Sequence, residues 1–171
     1  YLKKINSETS WGERDKSSMF GNEFTFPRDT AWYGDKGASY VYSGIKNTPL
    51  PWTEALNQLK DKVESHTGEK FNSLLINRYL NGDDKVSWHS DDEPELGPNA
   101  IIASLSLGET RDFQLRPKDK SLETKTLPLV AGSLLVMRPP TQLFWEHQVP
   151  SRSASLGPRV NLTFRYVNTA S

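Results

Sequence analysis

From residue 71 onward the chain is a succession of short runs rich in β-branched and aromatic residues, at 71–80, 86–89, 100–107, 112–115, 124–130, 133–138, 144–149 and 159–167. Runs of this length suit ordinary strands, and eight of them at close spacing, with turn residues between, favour an antiparallel sandwich or jelly roll. Ahead of them the period changes. Leu56, Leu59 and Val63 recur at helical spacing between Trp52 and Gly68, with Thr53 placed to cap the start and Gly68 to stop the end. The first 30 residues are polar and irregular, yet Phe20, Phe24 and Phe26 stand among them with Gly21, which suggests an extended arm or hairpin. The charged stretch 118–125 reads as a solvated hairpin loop. A chain of 171 residues lies in the size range of one domain with one core.

Composition removes several kinds of chemistry. With no cysteine, disulfides and thiolate metal sites are excluded, and any metal must be held by His, Asp or Glu. The longest apolar runs, 100–107 and 132–137, fall far short of the roughly 20 residues that span a bilayer, and no signal peptide is visible. A soluble intracellular protein is expected, nuclear in a eukaryote and cytoplasmic otherwise. The chain begins at Tyr1 rather than Met, as a trimmed chain would. Lys plus Arg and Asp plus Glu both number 21, and this neutrality argues neither for nor against a nucleic-acid partner.

Three histidines exist. His66, at the polar end of the predicted helix, reads as a surface residue. His89 and Asp91 form a His-Ser-Asp triplet at the end of a predicted strand, where side chains two apart leave the same face. They could share one ion, and His147, on another predicted strand, could complete the set across the sandwich. Two imidazoles and a carboxylate on one side of a metal leave the other positions open, which is the facial triad of non-haem iron oxygenases. His-x-Asp alone is a weak signal, and in a random soluble protein it is usually structural.

Near the C-terminus, Arg159, Asn161, Thr163 and Arg165 alternate with Val160, Leu162 and Phe164. The alternation fits a strand with a solvent face. It fits equally a surface for a dicarboxylate, because guanidinium forks match carboxylate oxygens and stay charged when partly buried. Asn77 and Tyr79 share the same i, i+2 geometry on an earlier strand and offer neutral donors.

These segments, taken in order, resemble a known family. Asn77-Arg78-Tyr79, the run from Trp88-His89-Ser90-Asp91 to Asp92-Glu93-Pro94, Ser104-Leu105-Ser106-Leu107-Gly108, Arg111-Asp112-Phe113, Trp145-Glu146-His147 and the stretch 158–165 are similar to the AlkB dioxygenases. Upstream, Pro27-Arg28, Ala31-Trp32-Tyr33-Gly34-Asp35 and Tyr40-Val41-Tyr42-Ser43-Gly44 resemble the substrate lid of the animal homologues that repair DNA. The resemblance implies a mainly β (α+β) chain: a double-stranded β-helix, or jelly roll, with an N-terminal helix and a lid extension. It implies one domain over 1–171, with arm and nucleotide-recognition lid in 1–50 and helix plus jelly-roll core in 51–171. It further implies Fe(II) on His89, Asp91 and His147. 2-Oxoglutarate would lie with Arg159 at its distal carboxylate and Arg165 near the metal-bound one, and Asn77, Tyr79, Asn161 and Thr163 would complete the pocket. The implied reaction uses O2 and 2-oxoglutarate to remove methyl groups from N1-methyladenine and N3-methylcytosine in DNA or RNA, releasing formaldehyde, succinate and carbon dioxide.

A methylated base inside a duplex must be flipped or taken from a single strand. The resemblance places Tyr42 and His89 on either side of it, with Asp92 and Glu93 near its exocyclic amine, and adds Tyr40, Ser43 and Arg28 to the substrate contacts. Arg111, Arg116 and Lys118 join Arg28 as candidates for phosphate. Met19-Phe20-Gly21 resembles the hairpin tip whose phenylalanine enters the helix in the duplex-preferring homologue. The Arg-Lys-Lys run that follows the second metal histidine there is absent, and Arg152 alone stands in that stretch. The expected partner is nucleic acid, with no membrane and a monomeric enzyme. Two other readings compete: a dioxygenase acting on a protein side chain or small molecule, and a catalytically silent jelly-roll module.

Overall fold

A computed structural model describes residues 1–12, 16–19, 22–25, 28–42, 45–154 and 157–168, with backbone alone for 16–19, 22–25, 40–42 and 45–47. The chain runs through α1 (Leu2–Glu8), β1 (Lys16–Met19), β2 (Asn22–Thr25), β3 (Asp29–Gly34), β4 (Tyr40–Tyr42), β5 (Ile45–Asn47) and α2 (Glu54–Thr67). There follow β6 (Ser73–Tyr79), β7 (Val86–His89), a 3-10 turn (Pro94–Leu96), β8 (Ile102–Gly108), β9 (Arg111–Pro117) and β10 (Lys125–Leu129). β11 (Leu134–Met137), α3 (Thr141–Phe144), β12 (Trp145–Val149) and β13 (Arg159–Arg165) complete it.

All eight expected strands are present, and together with β3 they form two facing sheets: a five-stranded one in the order β11-β8-β13-β6-β3 and a four-stranded one in the order β10-β9-β12-β7. Every strand pairing within them is antiparallel. This is the expected jelly roll.

α2 forms where the periodicity predicts it. The Thr53 side chain accepts from the Leu56 N–H, Gly68 closes the helix at φ 74, and Ala55, Leu56, Leu59 and Val63 are buried. An αL stop favours glycine because a Cβ is strained there. Burying each of the three larger side chains contributes about 1.5–3 kcal/mol. They join Ile5 of α1 and Leu74, Ile76, Leu162 and Phe164 of the large sheet in one apolar cluster, on the sheet's helix-covered side. A second cluster, with Tyr79, Ile102, Phe113, Met137 and Val149, fills the space between the two sheets.

The first 34 residues correct the sequence reading. The irregular arm contains a helix, α1, and the Ala31-Trp32-Tyr33-Gly34 segment assigned to the lid lies in β3, an edge strand of the large sheet paired with β6 from Asp29↔Arg78 to Gly34↔Ser73. Its Ala31 and Tyr33 are core residues. Apart from β3, the described strands of residues 1–50 form two antiparallel pairs, β1–β2 and β4–β5. Phe20, Gly21, Phe26, Pro27, Ser43 and Gly44 lie outside the described residues. Tyr40 and Tyr42 are described as backbone in β4.

Candidate metal and co-substrate site

β13 is the central strand of the large sheet, and both of its faces are buried, so the solvent-face reading fails. Val160, Leu162 and Phe164 are fully buried toward the helices. The other face looks into the space between the sheets. There Arg159 is 1% exposed, and its Nη2 donates to Ser106 Oγ at 2.9 Å. Asn161 Nδ2 donates to Ser104 Oγ at 2.6 Å, and Thr163 Oγ1 donates to Asn161 Oδ1 at 2.8 Å. Ser104 and Ser106 escaped the sequence reading of the site. Their i, i+2 spacing in Ser-Leu-Ser was the available signal, since it puts both on one face of β8 opposite Thr163 and Asn161.

His89, Asp91 and His147 come together at the open end of this space, with one potential ligand atom from each lying within 4.8 Å of the others. Asp91 is 4% exposed, and His89 Nε2 and His147 Nε2 stand 3.8 Å from its Oδ1 and Oδ2 respectively. The two histidines are direct cross-strand partners, but one extra residue of β7 lies between the pairs His147↔His89 and Val149↔Val86. Such a bulge breaks the two-residue alternation, so Val86 and His89 both turn inward. His89 Nδ1 lies 2.7 Å from the Ser87 carbonyl. A carbonyl only accepts, so in the neutral ring Nδ1 is the nitrogen that carries the proton and Nε2 the one that offers a lone pair.

His147 is oriented differently. Its ring stacks on Phe113 at 5.1 Å, and its Nδ1 has no hydrogen-bond partner among the described residues. Burial pushes its pKa down to about 4 despite the opposing pull of Asp91, with His89 and Arg165 lowering it further. It is thus neutral near pH 7, as ligation requires. Arg165 Nη2 donates to Asp91 Oδ1 at 2.7 Å.

The donor set suits a hard or borderline divalent ion, and the arginines suit an anion. Arg159 Nε and Nη1 and Arg165 Nε are buried with no hydrogen-bond partner among the described residues, although an unmade bond to a buried charged group is costly. Desolvation lowers the pKa of Arg159, against the favourable influence of Tyr79, whose ring lies 5.2 Å from the guanidinium. A dicarboxylate would answer both deficits. Asn77, Tyr79, Asn161 and Thr163 line the same pocket.

The expected substrate contacts divide. Arg28 lines this pocket and donates to Asn77 Oδ1 at 3.0 Å, and desolvation lowers its pKa against the pull of Tyr79. Asp92 and Glu93 are exposed on the loop after Asp91. Arg111 is a correction. At 1% exposure it donates to the carbonyls of Asn81, Asp84 and Pro150, which pin two loops, so no phosphate can reach it. Arg116 donates to Glu146 at 2.6 Å and lies over the Trp88 ring, and Lys118 donates to the Gln142 carbonyl. His66 is exposed, as expected.

A jelly roll holding two imidazoles and one carboxylate at the mouth of an arginine-lined inner pocket defines the class of mononuclear non-haem metal oxygenases. Comparison with known proteins narrows this. The profile of the 2OG-Fe(II) oxygenase superfamily matches residues 2–165. The chain is 45% identical over 163 residues to the DNA oxidative demethylase ALKBH2 of Mus musculus, covering 91% of this chain and 68% of that protein. It is 44% identical over 177 residues to the human alpha-ketoglutarate-dependent dioxygenase alkB homolog 3, covering 97% of this chain and 60% of that one. The solved structure of OsALKBH1 superposes with a TM-score of 0.64 at 17% identity, covering 96% of this chain and 90% of that one, a likeness of fold. The chain belongs to the 2OG-Fe(II) oxygenase superfamily, and within it to the AlkB family.

Proposed function

We propose that this chain is an Fe(II)- and 2-oxoglutarate-dependent dioxygenase that oxidatively demethylates alkylated bases in nucleic acid. N1-methyladenine and N3-methylcytosine in DNA are the first substrates, and RNA is the second class. One observation carries the reading: the His89–Asp91–His147 cluster and the unpartnered guanidinium atoms of Arg159 and Arg165 face one pocket. The relatives named above lend the substrate class. The enzyme is read as intracellular, nuclear in a eukaryotic cell, and as acting without a partner subunit.

Fe(II), 2-oxoglutarate and O2 together would supply the oxidation of a methyl group on a base nitrogen, with succinate, carbon dioxide and formaldehyde as products. The protein's part is placement. His89, Asp91 and His147 would hold the ion, and Arg165 orients the Asp91 carboxylate by donating to it. Arg159 offers its fork to the distal carboxylate, already steadied by Ser106. Asn77, Tyr79, Asn161 and Thr163 complete the cradle with neutral groups. The His89 side chain is 37% exposed and the His147 side chain 5%, so substrate approaches from the His89 side. Tyr42 would cover the other face of the flipped base, with Tyr40 and Ser43 beside it. A cationic methylated base gains about 0.5–2 kcal/mol from such an aromatic face. Asp92 and Glu93 accept hydrogen bonds from its exocyclic amine and favour its charge.

The test is a panel of N1-methyladenine and N3-methylcytosine in single and double strands of DNA and RNA, scored for formaldehyde and succinate. Oligonucleotide-dependent succinate supports the proposal. Succinate that no methylated oligonucleotide increases would move the enzyme to a protein or small-molecule substrate. Phe20 sharpens the strand preference, since an apolar wedge offsets part of the few kcal/mol needed to unstack a pair. Phe20→Ala is expected to lower the rate on duplex N1-methyladenine by about tenfold, on the order of 1.4 kcal/mol, and to spare single strands. Equal duplex rates would remove Phe20 from the mechanism.

A further inference from the structure

The strand that carries the first histidine is the least supported in its sheet. β7 lies at the edge of the four-stranded sheet and meets β12 in two register pairs with a bulge between them. Asp91 lies beyond the strand's end. Ladder bonds alone therefore fix the segment 87–91 poorly.

Side chains make up the deficit. Gln142, on α3, accepts the Asp91 N–H through Oε1 at 2.8 Å. Gln142 is itself held, its Nε2 lying 3.5 Å from Met137 Sδ and its carbonyl accepting Lys118 Nζ at 2.9 Å. Ser90 Oγ donates to the Trp145 carbonyl at 2.7 Å. From β9, Arg116 reaches across β12, donating to Glu146 while its guanidinium carbon stands 4.0 Å from the Trp88 ring centroid. Trp88 and Glu146 immediately precede His89 and His147. Three ties from residues 116 and 142–146 thus grip 88, 90 and 91 without occupying a ligand atom.

We propose that Gln142 and Arg116 are positioning residues for the metal centre: Gln142 fixes the Asp91 peptide, and Arg116 clamps Trp88 so that His89 keeps its place opposite His147. The proposal rests on the metal reading of the triad. Partners outside the ligand set commonly govern metal affinity by about 10–100-fold. Gln142 acts at the ligand's own backbone and carries the larger share, while the part-exposed Arg116 pair carries the smaller.

The experiment is titration of the protein with Co(II) in the absence of oxygen and 2-oxoglutarate, following the d–d absorption, alongside thermal melting without metal. Gln142→Leu, which removes the acceptor, is expected to weaken Co(II) binding about tenfold. Gln142→Glu keeps an acceptor at the same reach and is expected to retain the parent affinity within about threefold, whereas Gln142→Met, which fills similar space without that acceptor, is expected to bind as weakly as Gln142→Leu. Arg116→Met is expected to weaken binding about threefold, with an altered Co(II) spectrum, and to leave half-saturation by a single-stranded oligonucleotide unchanged. If Gln142→Leu and Arg116→Met melt lower but bind Co(II) like the parent, the positioning role is refuted. It is equally refuted if Gln142→Glu binds as weakly as Gln142→Leu, or if Arg116→Met raises the oligonucleotide requirement alone, which makes Arg116 a phosphate contact. A parent protein that binds no Co(II) would overturn the metal reading itself, a separate outcome.

Discussion

The two faces of β13 are almost equally buried and do opposite work. Val160, Leu162 and Phe164 are 0% exposed on the helix side, whereas Arg159, Asn161 and Thr163 are 1–7% exposed on the inner side. The first face gains from leaving water. The second holds charge and amide groups in a dry space, which costs stability unless a partner is supplied. One strand thus separates the part of the molecule that secures the fold from the part suited to an anionic ligand.

The sharpest break in that division is expected at Asp91. Asp91→Ala should abolish demethylation on every substrate while far-ultraviolet circular dichroism stays that of a folded protein. Full turnover would remove the triad from the mechanism. Phe164→Ala should do the reverse, destabilising the chain by about 3–5 kcal/mol in denaturant melts and leaving the 2-oxoglutarate requirement of the folded fraction unchanged. A shift in that requirement would show that the two faces are coupled.

Arg159 refines the comparison. Arg159→Met should raise the 2-oxoglutarate needed for half-maximal rate about thirtyfold, roughly the 2 kcal/mol of a charged hydrogen bond, without changing the oligonucleotide requirement. Its ligand-free stability should be equal or greater, because a guanidinium with two unpartnered nitrogens is gone. Arg159→Lys should recover only part of the affinity, since it lacks the fork. Lower ligand-free stability in Arg159→Met would mean that the inner face is also structural.

How far the sequence reveals all this depends on whether a feature is local. The strands, α2 with its Thr53 and Gly68 ends, and the polar alternation of β13 follow from short-range periodicity, and each is found in place. The gathering of His89, Asp91 and His147 is foreshadowed by spacing plus resemblance. What stayed hidden is settled by distant partners. α1 has one buried residue, Ile5, too little for a pattern to show. The segment 31–34 resembles the substrate lid of the animal homologues, yet its Tyr33 is buried in the core cluster on the helix-covered side of the large sheet. Arg111 looks like a surface cation until carbonyls from residues 81, 84 and 150 surround it.

The bulge in β7 has a consequence for life in a crowded solution. As the outermost described strand of its sheet, β7 would otherwise offer a row of unpaired amides and carbonyls to any extended segment that drifted past. The extra residue breaks that row, and the Ser87 carbonyl is already committed to His89. Past the buried Asp91 the chain continues into the exposed Asp92 and Glu93, where like charge repels a second copy. The irregularity that points a histidine inward therefore also keeps this edge from recruiting a neighbouring molecule into a fibre.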